Sequence, residues 1–423
     1  MGKRLGALSE LVQEVLGSPL CVACGACASY CPYIVAREDR LAFVASCTKE
    51  EGRCYRHCPR SAGLTDESLA GDAGYRGPLG DVAATLIARS LVDATRVRRS
   101  ALPTPQHGGT VTAVVAHALR TGTIDAAIVT GWDVDTTPRT GNTPEPNRAF
   151  EWAGAPESGG NPRLGHMCAS AITASVATVP VGTRLMPRAF LADTPEAVLS
   201  GAGSKFAVSP TVAVVNEALQ RGYRRLGVVA LPCQATALRK MLLSAPPETP
   251  AGIALIVGLF CTWSLGQRDW ADLLARHVGD RTVRKVDIPP PPAQIMEVEL
   301  AGGGRVEIPL EEVRVAVRDA CRFCMDMTSE NADLSIGLVE GVAGWNTVLV
   351  RTEVGQSLMD SAQAAGVVEV GILEAGRLAH LAEASLGKKR RAIGEAEAVG
   401  HDAPYLVHLR GYGEKVERDV ASR

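Results

Sequence analysis

Apolar and polar positions alternate with two different periods along most of this chain. Apolar residues spaced by three and four positions predict helices, whereas short continuous apolar runs predict buried strands. Helical spacing occurs at Val111–Leu119, Val212–Leu219, Thr236–Leu243 and in a segment that begins at Ser357. Buried strands are expected at Ile124–Thr130, Leu226–Leu231, Ile253–Phe260, Leu334–Gly337, Val348–Val350 and Val367–Ile372. This alternation predicts an α/β fold with a mixed, mostly parallel sheet core covered by helices.

Three kinds of segment interrupt the alternation. Met296–Leu300 and Val306–Leu310 flank a glycine-rich stretch, which predicts a β-hairpin with a flexible tip. Asp133–Pro162 is rich in proline, glycine and threonine and predicts a long surface loop. Gly63–Gly80 is rich in glycine and aspartate, and it predicts a linker between a small cysteine-rich module and the rest.

The composition is that of an ordinary globular protein, with 46% hydrophobic and 21% charged residues in 423 positions. The formal net charge of -2 argues against a nucleic-acid partner, because such partners require many cations to neutralise phosphates. No apolar run reaches the roughly 18 residues of a membrane span, and no apolar export signal precedes Cys21. We therefore expect a cytoplasmic protein without a transmembrane segment. The basic run Lys388–Arg391 is expected to be a solvated surface.

The twelve cysteines carry the candidate chemistry. In a cytoplasmic chain, cysteines indicate metal binding more than disulfide bonds. The run Cys21-x2-Cys24-x2-Cys27-x3-Cys31-Pro32 has the spacing of bacterial ferredoxins. In that pattern three thiolates bind one iron–sulfur cluster, and the cysteine before the proline binds a second cluster. A structural zinc site is the alternative, but zinc prefers paired Cys-x2-Cys knuckles.

A second cysteine run, Cys47-x6-Cys54-x3-Cys58-Pro59, has one cysteine fewer than the first. By pseudo-symmetry the first cluster takes Cys21, Cys24, Cys27 and Cys58. The second takes Cys31, Cys47 and Cys54. Three alternatives stay open for this incomplete set: a 3Fe-4S cluster, a 4Fe-4S cluster with a non-cysteine ligand such as His57, or no cluster. An exposed histidine is the simpler interpretation of His57.

Four further cysteines are spread over the second half of the chain. Cys233 follows one predicted strand, Cys261 ends another, and Cys321 and Cys324 form a close pair. Because the carboxyl ends of parallel strands share one edge of a sheet, these thiolates are expected to meet there. Four thiolates suffice for a 4Fe-4S cluster, although buried cysteines also serve as small apolar residues. Cys168 stands alone, and no role is assigned to it.

Two glycine-rich segments are candidates for binding phosphates or a ring. No Gly-x-Gly-x-x-Gly follows a strand, which disfavours a Rossmann-type dinucleotide site. Gln106–Thr110 precedes a predicted helix, whose first amides favour an anion. Gly201–Phe206 offers backbone amides, the Ser204 hydroxyl and the Lys205 ammonium. His107 is the candidate proton donor, and a turn or helix-cap residue is the alternative.

Taken in chain order, these segments resemble the coenzyme F(420) hydrogenase/dehydrogenase beta-subunit family. The resembling segments span roughly residues 75 to 370, and they are His107–Thr112, Ile124–Ala127, Gly201–Phe206, Leu231–Gln234, Leu259–Cys261, Cys321–Cys324, Ala332–Asp333, Gly344–Thr347 and Val350–Thr352. The resemblance implies an FAD-binding iron–sulfur protein. It implies core-cluster ligands Cys233, Cys261, Cys321 and Cys324. It places near the flavin the residues Gly108, Gly109, Thr110, Thr112, Gly203, Ser204 and Lys205.

The resemblance also implies a division of the chain. We expect a ferredoxin-like iron–sulfur module at residues 1–75, a flavin-associated region at 76–200, and an iron–sulfur and flavin region at 201–423. The expected cofactors are two or three 4Fe-4S clusters and FAD.

Three functions fit this composition of cofactors. The first is an oxidoreductase subunit that passes electrons through FAD between a hydride carrier, such as the deazaflavin coenzyme F(420), and iron–sulfur clusters or ferredoxin. The second is a ferredoxin-dependent reductase of an organic substrate. The third is a non-catalytic electron-transfer adaptor for a partner dehydrogenase or reductase. Expected partners are ferredoxin or another redox subunit within a multi-subunit complex.

Overall fold

The computed structural model describes residues 7–37, 39–62, 75–91, 107–135, 184–246, 252–290 and 292–422. The strands in these ranges are β1 Ile34–Arg37, β2 Arg40–Phe43, β3 Ala84–Ser90, β4 Ala126–Asp135, β5 Arg184–Ala192, β6 Leu226–Ala230, β7 Ile253–Leu259, β8 Val283–Asp287, β9 Ile295–Leu300, β10 Arg305–Pro309, β11 Leu334–Leu338, β12 Asn346–Val350 and β13 Val368–Ile372.

Helices precede, connect and follow these strands. They are α1 Ala7–Leu11, α2 Arg53–Arg56, α3 Thr110–Arg120, α4 Pro195–Ser200, α5 Thr211–Gln220, α6 Pro232–Leu243, α7 Gln267–His277, α8 Leu310–Val315, α9 Glu353–Ala364, α10 Ala375–Val399, α11 Pro404–Arg410 and α12 Gly413–Ala421. A π-helical turn, Val12–Leu16, continues α1, and a 3-10 turn, Asp319–Cys321, precedes the second cysteine of the close pair.

The centre of the molecule is an eight-stranded sheet in the order β13-β3-β12-β11-β7-β6-β4-β5. Strands β11, β7, β6 and β4 form a continuous parallel block. The outer pairs on both sides of this block are antiparallel. The predicted α/β fold with a mixed sheet is therefore confirmed. The sheet is not mostly parallel, because three of its seven strand pairings are parallel and four are antiparallel. The parallel pairings form the centre, where α6 connects β6 to β7.

Helices cover both faces of this sheet. Along β7, Leu255 and Val257 pack toward α3 and α9, whereas Ile256 packs toward α5 and α6. A strand buried on both faces is apolar at every position, which explains the continuous apolar run in the sequence. At the carboxyl edge of the parallel block, helices therefore flank the sheet on both faces. The candidate sites lie along that edge.

The predicted elements are present, but several of their boundaries differ. The helix predicted from Ser357 begins at Glu353, where the Thr352 side chain caps it, and the strand predicted from Ile124 begins at Ala126. Helix α6 begins at Pro232, four residues before the predicted start, because proline suits the first helical turn and the Gln234 side chain accepts a hydrogen bond from the Leu231 amide. This places Cys233 inside the first turn of the helix. The expected loop Asp133–Pro162 is wrong at its start, because β4 pairs with β5 as far as Asp135. The remainder of that loop, most of the expected linker and Cys168 lie outside the described residues.

A second, three-stranded sheet has the order β10-β9-β8 and contains the predicted hairpin. Gly303 and Gly304 at its tip have φ values of 88° and 92°, which only glycine adopts without strain. One face of this sheet packs on α7 through Met296, Val298 and the fully buried Trp270. The small sheet thereby lies over the β4–β5 end of the main sheet.

The N-terminal cysteine-rich segment packs against the main sheet and the C-terminal helices. Leu11 and Leu20 of this segment share a hydrophobic cluster with Ala213 of α5, Phe323 and Leu406 of α11. The segment carries the short hairpin β1–β2, paired from Ile34–Phe43 to Arg37–Arg40. Among the described helices, none combines the length and apolar character needed to cross a membrane.

Candidate iron–sulfur and flavin sites

Four cysteines of the N-terminal segment form one group, called here the proximal group: Cys21, Cys24, Cys27 and Cys58. Burial and the neighbouring thiolate charges of Cys58 and Cys21 raise the pKa of Cys24 far above its ordinary value. Burial and the charges of Cys24, Cys58 and Cys21 do the same for Cys27. Burial also raises the pKa of Cys58 to about 11. Cysteines from both runs therefore meet in one buried place, in the set that pseudo-symmetry predicts.

Three other cysteines form a distal group: Cys31, Cys47 and Cys54. Burial, and then the charges of Cys31 and Cys47, raise the pKa of the Cys54 thiol. All three residues are partly exposed, in contrast to Cys24, Cys27 and Cys58, which are buried. The distal group is therefore more solvent-accessible than the proximal group.

The four cysteines of the second half also come together, and we call them the core group: Cys233, Cys261, Cys321 and Cys324. Burial and the charges of Cys324, Cys24 and Cys261 raise the pKa of Cys233. Burial raises the pKa of Cys261 to about 12, and the charges of Cys321 and Cys324 act in the same direction. The Ser264 amide donates a hydrogen bond to Cys321 Sγ at 3.4 Å. The carboxyl edge of β6 and β7 thus meets the Cys321–Cys324 loop.

The proximal group lies between the other two groups. The charge of Cys54 acts on Cys27, which links the distal group to the proximal group. The charge of Cys24 acts on Cys233, which links the proximal group to the core group. The order along this path is distal, proximal, core.

The sharp backbone of the first cysteine run explains its close contact with the main sheet. Gly25 has a φ of 86°, and a Cβ there would lie 2.7 Å from the Ala213 nitrogen. The Val212 amide donates to the Cys24 carbonyl at 2.9 Å. Asn216 Nδ2 donates to the carbonyl oxygens of Ala26 and Ala28 at 3.2 and 2.7 Å. Helix α5 therefore holds the loop that carries the proximal thiols.

Buried cations accompany the proximal group. Lys240 of α6 is 2% exposed, and its Nζ donates to the carbonyl oxygens of Cys58 and Ser61 at 2.9 and 3.2 Å. Arg60 is 4% exposed and donates to the Phe323 carbonyl at 3.1 Å. The charge of Arg60 acts on thiols of both the proximal and the core group. Arg60 therefore lies between the two groups.

The expectation of a solvated surface at Lys388–Arg391 is wrong for its first two residues. Lys388 and Lys389 are 3% and 2% exposed, because α10 turns this side toward the core group. Lys388 Nζ donates to the carbonyl oxygens of Cys261 and Asp326 at 2.7 and 2.8 Å. Burial opposes ionisation of Cys324, but the Lys388 ammonium and the Arg60 guanidinium outweigh it and lower the pKa of that thiol.

The thiol sets fit iron–sulfur clusters by their chemistry. Ionising several buried thiols together is unfavourable, as their raised pKa values show, unless positive charge compensates them. Bound iron supplies that charge, and amides and buried cations next to the sulfurs supply more. In the described part of the chain, no three His, Cys, Asp or Glu side chains converge closely enough to hold a single metal ion.

His57 lies at the end of α2, between Cys54 and Cys58 in the chain. It is 5% exposed, so the simpler interpretation of an exposed histidine is wrong, and its Nδ1 has no hydrogen-bond partner. Burial and the cations Arg53, Arg56 and Lys240 lower its pKa to about 4. This environment stabilises the neutral imidazole beside the proximal group.

The first glycine-rich segment lies at the carboxyl edge of β3. The Ser90 amide donates to the Gly108 carbonyl at 2.7 Å, and a Cβ on Gly108 would lie 2.6 Å from Asn346 Oδ1. The Thr110 hydroxyl donates to the Ala88 carbonyl at 2.9 Å. Gly109 caps α3 with a φ of 69°, and Thr112 lies in the first turn of that helix. Gly108 and Thr110 therefore make contacts that hold the loop itself.

His107 is half-buried and faces the small sheet. Burial lowers its pKa, Lys285 of β8 adds to this effect, and Asp287 of β8 opposes it. A neutral imidazole can donate or accept a proton at one ring nitrogen. His107 is thus a titratable side chain between the main sheet and the small sheet.

The second glycine-rich segment holds its own lysine. Lys205 Nζ donates to the carbonyl oxygens of Gly201, Ala202 and Gly203 at 2.6, 2.7 and 2.9 Å. Burial lowers the pKa of Lys205 to about 7. Trp132 of β4 stacks on Trp270, and its ring centroid lies 6.0 Å from Lys205 Nζ. Lys205 therefore holds the loop at the end of α4 in place. Ser204 is its neighbour in the chain.

The first glycine-rich segment lies beside β3 and α3. The second comes close to the core group, because the Ser264 hydroxyl donates to the Phe206 carbonyl at 3.2 Å while the Ser264 amide donates to Cys321 Sγ. The residues that the sequence did not single out are Arg60, Asn216, Lys240 and Lys388. A lone asparagine or lysine in a helix has no motif, and the basic run around Lys388 points to a surface. Only the packing of distant segments brings these four side chains to the thiols.

Two family models match the chain. The N-terminal model of the coenzyme F(420) hydrogenase/dehydrogenase beta subunit matches residues 92–146, and the C-terminal model matches residues 223–375. The coenzyme F(420) hydrogenase subunit beta of Methanococcus voltae is 30% identical over 182 residues, which cover 42% of this chain and 64% of that protein. The coenzyme F(420)-dependent sulfite reductase of Methanocaldococcus jannaschii is 24% identical over 368 residues, which cover 83% of this chain and 47% of that protein. This chain spans less than two thirds of either relative.

A solved structure has the same fold. A chain in the F(420)-reducing nickel–iron hydrogenase complex of Methanosarcina barkeri superposes with a TM-score of 0.57 at 24% identity. The superposition covers 76% of the present chain and 95% of the other. The α/β fold described above is therefore shared with that chain.

Proposed function

This chain belongs to the coenzyme F(420) hydrogenase/dehydrogenase beta-subunit family, and on that basis we propose that it is an iron–sulfur flavoprotein subunit that connects a hydride carrier to one-electron carriers. The family is one of electron-transfer oxidoreductase subunits. The relatives named above act with coenzyme F(420), so this deazaflavin is the proposed hydride carrier. FAD and two or three iron–sulfur clusters are the proposed cofactors.

The continuous order of the three thiol groups is the observation that supports this proposal most directly. A path from the partly exposed distal group through the proximal group to the core group suits the movement of single electrons between the surface and the main sheet. Bound FAD would supply the exchange between two-electron hydride transfer and single electrons. The proposed flavin segment Gly201–Phe206 is joined to the core group through Ser264, which donates to the Phe206 carbonyl and to Cys321 Sγ.

The side chains of this chain have separate proposed tasks. The eleven cysteines of the three groups bind iron. Gly109, Thr112, Gly203 and Ser204 line the flavin, whereas Gly108, Thr110 and Lys205 hold the two glycine-rich loops in place through the contacts described above. His107 holds or releases a proton at its ring nitrogen beside β8.

The content of iron and flavin in anaerobically purified protein tests the proposal. About one FAD per chain together with eight or more iron atoms is expected from at least two complete clusters. Reduction of the bound flavin by reduced coenzyme F(420) would then be followed by its absorbance. Iron without flavin would contradict the flavoprotein proposal and leave an electron-transfer adaptor.

A ferredoxin-dependent reductase is the second candidate, and the surface around the distal group favours it. Phe43 and Val44 of the β1–β2 hairpin are 40% and 63% exposed and precede Cys47 closely in the chain. Exposed apolar residues next to a redox group suit contact with a protein electron carrier. Rapid reduction of the clusters by reduced ferredoxin, without any reaction with coenzyme F(420), would favour this candidate over the first.

A further inference from the structure

The most unusual feature outside the cysteine motifs is a buried lysine on the C-terminal helix α10. This helix lies beyond residue 375, where the family-model match ends. It nevertheless reaches the core group, because Lys388 packs at 3% exposure beside Cys261 and the Cys321–Cys324 loop. The core site is therefore completed by a segment outside the matched region.

The contacts of Lys388 direct its charge at the core group. Its Nζ donates to the carbonyl oxygen of Cys261 itself and to that of Asp326, two residues after Cys324. These hydrogen bonds join the two loops that carry three of the four core thiols. The charges of Cys324, Cys261 and Cys321 all act on the Lys388 ammonium.

The charge of Lys388 is not neutralised by a carboxylate ion pair among the described residues. Its neighbour Lys389 contrasts with it, because Lys389 forms a buried ion pair with Glu330. The Asp326 carboxylate lies near enough for its charge to act on Lys388, but Lys388 Nζ donates its hydrogen bond to the Asp326 carbonyl oxygen. The core thiolates are therefore the main counter-charge of this lysine.

We propose that Lys388 is a positioning residue that raises the reduction potential of the core cluster. The inference rests on the proposed function, because it requires that the core group binds a cluster. Reduction adds one electron and no proton to a site that already carries net negative charge from four thiolates. A fixed ammonium in a medium of low dielectric constant stabilises the reduced site more than the oxidised site.

The test is a redox titration of the purified chain with dithionite under anaerobic conditions, followed by electron paramagnetic resonance. The core-cluster signal is identified as the one that a Cys321→Ser variant loses. In Lys388→Gln, which keeps an amide donor but no charge, the equilibrium constant for reduction is expected to fall about tenfold, which equals about 59 mV for one electron. Lys388→Met should show the same shift, and Lys388→Arg should stay near the parent potential.

A double variant, Lys389→Met/Glu330→Gln, is the matched control. It removes the buried ion pair between Lys389 of the same helix and Glu330 without changing net charge. The reduction potential of the core cluster should therefore change much less than in Lys388→Gln. An unchanged potential in both neutral Lys388 variants would overturn the role of Lys388. Loss of the core-cluster signal in both neutral variants, with the signal kept in Lys388→Arg, would also overturn it in favour of a requirement for assembly. Absence of any signal that depends on Cys321 would instead overturn the proposed function.

Discussion

At the scale of single residues, Lys205 binds the loop that follows α4. The sequence offers it as an ammonium for a flavin phosphate, but its Nζ donates to three carbonyl oxygens of the preceding loop. Carbonyl oxygens at a helix end need such donors. The contacts of Lys205 are thus those of a structural residue at the end of α4.

Substitution of Lys205 distinguishes a structural role in the loop from a role in flavin binding. Lys205→Met should lower stability by about 2 kcal/mol, because the buried carbonyls lose their donor. Thermal unfolding measures this loss, and flavin content is measured on the same samples. Ser204→Ala is the control, because it changes the same loop without removing the ammonium. Loss of flavin from Lys205→Met at unchanged thermal stability would show that the ammonium binds the flavin instead.

His107 gives a prediction for pH dependence. Burial and Lys285 lower its pKa below the ordinary 6.5, so the imidazole is neutral at neutral pH and gains a proton only in more acidic solution. As a proton donor it should therefore support rates of coenzyme F(420)-dependent dye reduction that rise as the pH falls below 6.5. His107→Asn should lose that rise and on the order of 100-fold in rate.

His117 provides the control for this measurement. Its pKa is also lowered by burial, but its Nε2 is 2.8 Å from Ser361 Oγ on α9, within the helical layer. His117→Asn should leave the shape of the pH profile unchanged. If His107→Asn keeps the acid limb of the parent chain, His107 is not the donor.

At the scale of elements, α10 combines an apolar stripe with buried charge. Lys389→Met would leave the Glu330 carboxylate buried without its partner. Thermal unfolding at a fixed scan rate should show a loss of about 3–5 kcal/mol. The double variant Lys389→Met/Glu330→Gln should recover most of this loss. Equal losses in the single and double variants would mean that packing, and not the unpaired charge, sets the cost.

Helices and strands with a strong hydrophobic periodicity could be predicted from the sequence. Those whose conformation depends on residues distant in the chain could not. The runs that became β6, β7 and α5 are apolar enough to be recognised alone, and the hairpin β9–β10 has a local turn signal. Strand β5 has Arg184, Pro187 and Arg188, and only pairing with the long β4 makes it extended. Helix α10 carries Lys388 and Lys389 toward the core, which no local rule predicts. Within the candidate sites, cysteine spacing predicted the thiol sets, but the cations depend on tertiary contacts.

At the scale of the whole molecule, the N-terminal segment and the main sheet are joined by packing. Cys24 and Ala26 share a hydrophobic cluster with Val212 and Leu238 of α5 and α6. Disruption of the proximal group should therefore destabilise the main sheet, whereas the proposed flavin residues are not part of this hydrophobic cluster.

Cysteine substitutions test this connection. Cys24→Ser should remove about four iron atoms per chain and lower the unfolding temperature, while flavin content stays unchanged. Cys54→Ser in the partly exposed distal group should also remove iron but change the unfolding temperature much less. Iron analysis and calorimetry on the same preparations give both readings. Equal thermal effects of the two variants would mean that the proximal group does not support the main sheet.

The buried cations beside the thiols have a consequence for damage and repair. Lys240, Lys388 and Arg60 are enclosed with sulfurs most of which stay protonated unless iron is bound. Oxidative loss of a proximal or core cluster would leave these cations in the interior without their counter-charge, and the surrounding packing would then open. Such a chain is expected to receive its inner clusters during biogenesis and to be degraded, not refilled, once they are lost. The distal group is partly exposed at all three of its cysteines, and it is the position where replacement of a lost cluster in the mature protein is expected.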